Sequence, residues 1–115
     1  MTKLMPAIVL AWAFLATSPA LPGTGGAGAQ ELRLVIRNHI FEPAELRVPA
    51  GKRVSLSISN EDPTPEEFDS SALKVEKVIP GKSRAVVRFG PLDPGRYEFI
   101  GEFHADTAKG VVIAE

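Results

Sequence analysis

The feature that most constrains this chain is a period-two alternation of apolar and polar residues. It is cut at short intervals by proline and glycine and runs from Glu31 almost to the last residue. Successive side chains of a strand point to opposite faces, so such a pattern describes strands buried on one side only. Leu32, Leu34 and Ile36 alternate with Arg33 and Arg37, which predicts a strand over residues 31–38. Leu46 and Val48 follow a Phe41-x-Pro43 corner. Val54, Leu56 and Ile58 alternate with Ser55, Ser57 and Ser59, and form the cleanest strand of the set. Asn60-Glu61-Asp62-Pro63-Thr64-Pro65 reads as a loop, because two prolines break any ladder. An extended segment restarts at Phe68, and Leu73, Val75 and Val78 predict a further strand toward Pro80-Gly81. Ala85, Val87 and Phe89, then Tyr97 and Phe99, and finally Val111 to Ala114 complete the series. No part of this region carries a helical repeat long enough to compete. The expectation is an all-β fold, a Greek-key β-sandwich of seven to eight strands.

The first thirty residues do not follow this pattern. Lys3 is the only charge before Glu31, an apolar run extends from Leu4 to Leu15, and small residues ending in Ala27-Gly28-Ala29 come after it. That order is the layout of a secretory signal peptide. The apolar run is too short to cross about 30 Å of hydrocarbon as a helix. The reading is therefore a signal peptide over 1–29, cleaved after Ala29, with cleavage after Ala20 as second choice. A single domain over 30–115 remains, periplasmic and without a membrane span after processing. The chain has no cysteine, so an exported domain of this size must hold together by core packing alone. Thirteen basic residues against fourteen acidic ones, with no basic cluster, speak against a nucleic-acid partner. No serine stands beside a base in a recognisable motif, which speaks against a nucleophilic enzyme.

The turn signals, taken in order, resemble the cupredoxins. Phe41-x-Pro43 leading into Leu46-x-Val48-x-x-Gly51-x-x-Val54 is similar to the opening of that fold, and so is Asn60-x-Asp62 at the end of the next strand. Near the C-terminus, Pro94-Gly95-x-Tyr97-x-Phe99-x-Gly101-x-x-His104 resembles the string in which the family carries its copper ligands, and Gly110 with Val111-Val112-Ile113 is similar to its closing strand. The departures are as informative as the matches. A blue-copper centre uses two histidines, a cysteine and a weak axial methionine. Here Gly101 stands at the cysteine position, the methionine is missing, and Glu66-Glu67-Phe68-Asp69 replaces the upstream histidine. Of the four ligands only His104 is left, so blue-copper electron transfer is excluded. Returning a thiol with Gly101→Cys is expected to give partial blue character at most. The strings 64–70, 76–81 and 101–104 are similar to a cupredoxin-like branch that accompanies bacterial iron uptake, lacking the blue-copper Cys and Met.

The resemblance places a site at one end of the sandwich. It sets Glu66 and Glu67 where the upstream histidine would be, and Glu102 and His104 on the C-terminal ligand loop. His39, two residues before Phe41, is expected to reach the same end. His39, Glu66, Glu67, Glu102 and His104 are thus the candidate metal ligands, with one of Glu66 and Glu67 rather than both, since neighbours on a strand face opposite ways. Two imidazoles with carboxylates suit iron, copper(II) or zinc and are poor for copper(I). The resemblance implies a periplasmic iron or copper protein of iron acquisition with ferroxidase-type activity, whose partners would be an inner-membrane iron permease or a periplasmic iron-binding protein. Two other readings stay open: a non-enzymatic copper or iron carrier or chaperone, and a metal-free interaction module.

Overall fold

In the computed structural model the described residues are 29–115 together with Lys3, and the expected leader and its cleavage site fall almost wholly outside them. Nine strands form two sheets among the described residues: β1 (Ala29–Arg37), β2 (Ile40–Glu42), β3 (Glu45–Val48), β4 (Arg53–Asn60), β5 (Glu66–Ser70), β6 (Val75–Ile79), β7 (Ser83–Phe89), β8 (Gly95–Gly101) and β9 (Lys109–Ala114). One sheet has the order β2-β1-β4-β7 and the other β3-β9-β8-β5-β6. The chain changes sheets between β2 and β3, at Pro43. β1 lies parallel to β4 and β3 parallel to β9, while the remaining pairs are antiparallel. No helix of the described residues is long and apolar enough to cross a membrane.

The expected all-β Greek-key sandwich is what forms, with two differences in detail. The Phe41-x-Pro43 corner holds a three-residue strand, β2, which pairs with the end of β1 and raises the count to nine. Leu73 lies in a turn before β6 rather than in a strand. Its N–H donates to Ser70 Oγ at 3.0 Å, and its side chain is buried from the turn.

Alternation is literal in β4, where Val54, Leu56, Ile58 and Asn60 point inward and every other residue faces out or lies half-exposed. The centre of the core is three phenylalanines, one from each of three strands. Phe99 lies 4.9 Å from Phe68 and 5.1 Å from Phe41 between ring centroids. All three are almost fully buried, which stabilises the fold by roughly 1.5–3 kcal/mol per ring. A glycine is needed beside them: a Cβ on Gly110 would stand 2.3 Å from the Phe99 ring. This aromatic cluster positions the site, because Phe41 is two residues after His39, Phe68 two after Glu66, and Phe99 two before Gly101.

Candidate metal centre

The first side chain comes from the β1–β2 hairpin. Arg37 pairs with Ile40 across a two-residue turn, Asn38-His39, whose φ values are 54° and 59°. A two-residue hairpin with both central residues left-handed matches the right-handed twist of its strands, and asparagine-glycine is its usual occupant. Here a histidine takes the glycine place. Asp62, just past the end of β4, holds the turn in shape: Oδ1 accepts the Asn38 N–H at 2.7 Å and Oδ2 the His39 N–H at 2.9 Å. Asp62 is itself fixed by Asn60, whose Oδ1 accepts the Asp62 N–H at 3.0 Å and whose Nδ2 donates to the carbonyls of Thr64 and Ile79. Burial by itself would raise the Asp62 carboxyl. The two backbone donors and the neighbouring imidazoles outweigh it and hold the group below the usual carboxylate value.

The second comes from the first residue of β5. Glu66 shares the inward face of that strand with Phe68 and Ser70, and its side chain is 1% exposed. A carboxylate in such a place needs donors, and it has three. Oε1 accepts the N–H of Glu67 at 3.0 Å and of Phe103 at 2.9 Å, while Oε2 lies 2.6 Å from His104 Nδ1.

His104 ends a single 3-10 turn, Glu102–His104, that follows β8. Its carbonyl accepts the Ala108 N–H at 2.8 Å, and Thr107 Oγ1 donates to the carbonyl of His39 at 2.6 Å, so the third loop is tied to the first. The two imidazoles lie face to face, 3.6 Å between centroids and 11° from parallel.

One ligand atom from each of His39, Glu66 and His104 falls within 4.8 Å of the others. His39 Nδ1 is buried, has no hydrogen-bond partner, and lies 3.4 Å from Asp62 Oδ2. An unpaired buried ring nitrogen in a native fold calls for an explanation, and a bound ion is one of the accepted ones. Two imidazole nitrogens and one carboxylate oxygen form a set that copper(II), zinc or iron accept and copper(I) does not favour. The residues present therefore fit a metal ion.

Of the five candidates, three are brought together. Glu67 points to the opposite face of β5, where it gathers with Asp69 and Glu76 in a separate acidic group. Desolvation first, then repulsion from Glu76, Asp69 and Glu102, push its carboxyl above the usual value. Glu102 is exposed on the 3-10 turn and belongs to neither group. Asp62 and Thr107 were not among the candidates. Asp62 was visible only as part of a turn motif, and nothing in the sequence marks Thr107.

The profile of the family described as "Cupredoxin-like domain" matches residues 6–114. The chain belongs to this family. An uncharacterised protein of Rickettsia prowazekii (strain Madrid E) is 40% identical over 83 residues, which cover 72% of this chain and 66% of that protein, just under two thirds of its length. Among solved structures, the metal binding domain of the Cu(I) exporting P-type ATPase CopA of Streptococcus pneumoniae D39 superposes with a TM-score of 0.66 at 21% identity, covering 78% of this chain and 89% of that one. Auracyanin A, a blue copper protein of Chloroflexus aurantiacus, gives 0.66 at 15% identity over 76% and 100% of the two chains. The purple cupredoxin of Nitrosopumilus maritimus gives 0.56 at 19%, over 72% and 98%. Identities this low establish the cupredoxin fold. The absence of any cysteine separates this member from a blue-copper centre.

Proposed function

We propose that this cupredoxin-like protein is a periplasmic metal-binding protein of iron acquisition, exported by a leader cleaved after Ala29, and that His39, Glu66 and His104 hold its ion. The observation that carries the reading is the convergence of two imidazoles, His39 and His104, on the buried Glu66 carboxyl group, at one end of a sandwich whose structural neighbours include copper proteins. Glu66 contributes negative charge, and the imidazoles contribute nitrogen donors without it. Negative oxygen donors bind the more highly charged ion more strongly, so such a set stabilises iron(III) over iron(II). The reading is thus a ferrous-iron oxidising centre. Four iron(II) ions in turn give one electron each to a single dioxygen, which takes four protons from solvent and leaves as two waters, and the iron(III) formed passes to an inner-membrane permease or a periplasmic iron-binding protein.

The protein's own residues have definite parts in this scheme. Asp62 and Thr107 hold the His39 turn over His104. The phenylalanine cluster beneath the site excludes water from one side and lowers the local dielectric. The Glu67 and Phe103 N–H groups and His104 Nδ1 hold the Glu66 carboxyl group in place, aimed at the two imidazoles.

Calorimetric titration of iron(II), copper(II) and zinc into the exported protein and into His39→Ala, His104→Ala and Glu66→Gln tests the ligand set, with circular dichroism checking each fold. Loss of even a residue that supports a ligand typically costs 10–100-fold in affinity, so each variant should fall by at least about tenfold. Oxygen-dependent loss of iron(II) in the parent separates oxidation from carriage. Tight copper binding without iron turnover would replace this reading with a copper carrier, and no binding at all with an interaction module.

A further inference from the structure

The geometry points to Gly101 as the residue that decides which donor the site presents. The empty place at its Cβ is the seat of the Glu66 carboxylate, so a side chain at 101 and a carboxylate from position 66 exclude one another. This rests on the reading of His39, Glu66 and His104 as a metal centre for its consequence, though not for its structural half.

Gly101 closes β8 with φ −91° and ψ 104°, an extended conformation open to any residue. Backbone freedom therefore does not require a glycine here. Space does. A Cβ at 101 would stand 2.7 Å from Glu66 Cδ, 2.9 Å from Glu66 Oε1 and 2.6 Å from Ala108 Cβ, distances that real Cβ atoms do not show. The register explains the closeness. Gly101 pairs with Phe68 on β5, and Glu66 is the next inward-facing residue of that strand.

Neither neighbour can step aside. Glu66 is held on both oxygens by Glu67, Phe103 and His104. Ala108 is fully buried, and its carbonyl accepts the Gly101 N–H at 2.8 Å. A larger residue at 101 must displace the carboxylate from its donors.

The chemical consequence is a choice of metal class. With glycine at 101 the donor entering from this side is a hard, charged oxygen, which with two imidazoles suits copper(II), zinc and iron. A side chain from β8 would present its own donor instead; for cysteine that is a soft thiolate suited to copper(I). Gly101 is in this sense a specificity-determining position that touches no metal. It also revises the expectation for Gly101→Cys alone, which would drive out Glu66 rather than add a thiolate to the existing donors.

A double-mutant cycle between Gly101→Ala and Glu66→Ala tests this, carried out on the exported domain in an Ala108→Gly background that removes the other obstructing carbon. With Glu66 present, Gly101→Ala should lower the unfolding midpoint by on the order of 10 °C. With Glu66→Ala most of that loss should disappear. Zinc affinity should fall at least tenfold in either single variant and no further when the two are combined. Should Ala108→Gly itself not fold, the same cycle in the unmodified chain carries the Ala108 clash in both arms and cancels it. An equal stability loss with and without Glu66, or none at all, overturns the proposal. Coupled stabilities in proteins that bind none of zinc, copper(II) and iron(II), the parent included, would uphold the mutual exclusion and overturn the metal reading alone. Copper(II) added to Gly101→Cys with Glu66→Ala and Ala108→Gly should produce a thiolate-to-copper absorption absent from the parent; its absence in a folded, copper-binding variant counts against the exchange of donors.

Discussion

His39 occupies a turn position that favours glycine, and this makes the site separable from the fold. Its φ of 59° is left-handed, where an L side chain costs roughly 1–2 kcal/mol that glycine does not incur. His39→Ala keeps that conformational cost and loses the ring stacked on His104. His39→Gly loses the same ring and relieves the cost, less roughly 0.4–1 kcal/mol for the greater freedom of glycine in the unfolded chain. The glycine variant should therefore be about 1 kcal/mol more stable than the alanine variant, a midpoint about 4–8 °C higher in a domain of this size. In ordinary extended backbone the order is reversed by about 0.5–1 kcal/mol, so the sign alone is diagnostic. Both variants lack the same nitrogen donor and should lose metal affinity equally, by at least about tenfold. Thermal unfolding by circular dichroism and calorimetric titration of zinc read the two quantities. An alanine variant as stable as the glycine one would refute the strained turn, and undiminished zinc binding in either would remove His39 from the centre.

Glu67→Gln should stabilise the protein at neutral pH, because the Glu67 carboxyl is raised by desolvation and by Glu76, Asp69 and Glu102. A folded-state value above the ordinary 4.5 means that the parent loses stability relative to the variant as pH rises through that raised value and equals it below the unfolded one; denaturant unfolding across pH 3–8 checks this, and the gap should shrink in molar salt. Val87→Ala, which empties part of the core 6% exposed at that residue, should cost about 1–3 kcal/mol and leave zinc affinity unchanged, as parallel unfolding and titration would show. On the proposed export, the mature protein should begin at Gln30 and lack Trp12, the tryptophan of the proposed leader; an intact mass that retains Trp12 contradicts this.

The strands were legible because alternation is a local property. The burial of Val54, Leu56 and Ile58 in β4 can be read from five consecutive residues. β2 was not legible, because three residues around Phe41 cannot show a period, and Leu73 misled because a buried leucine in a turn looks the same as one in a strand. The order of strands in each sheet depends on contacts between distant segments that no local pattern records. Within the site, the restriction to one of Glu66 and Glu67 followed from alternation, but which of them stayed open until the structure turned Glu66 to the inward face it shares with Phe68. Asp62 and Thr107 escaped notice for a different reason. Their partners are backbone groups of Asn38 and His39, more than twenty residues away in sequence, so their roles exist only once the loops have met.

The arrangement also bears on how firmly an ion would be held. A buried carboxylate without partners would cost several kcal/mol, and Glu66 avoids this through three donors that belong to the protein itself. Two of them, the N–H groups of Glu67 and Phe103, meet Oε1 and leave Oε2 to His104. An ion held through these same two atoms would have to displace their hydrogen bond, and its binding energy would be reduced by that of a hydrogen bond to a charged group, about 1.5–3 kcal/mol. At 1.4 kcal/mol per tenfold in affinity, this competition weakens binding by roughly 10–100-fold. A centre meant to keep its ion permanently gains nothing from such a competitor. One that takes up an ion and hands it on does, because the contact that replaces the metal on release is already built.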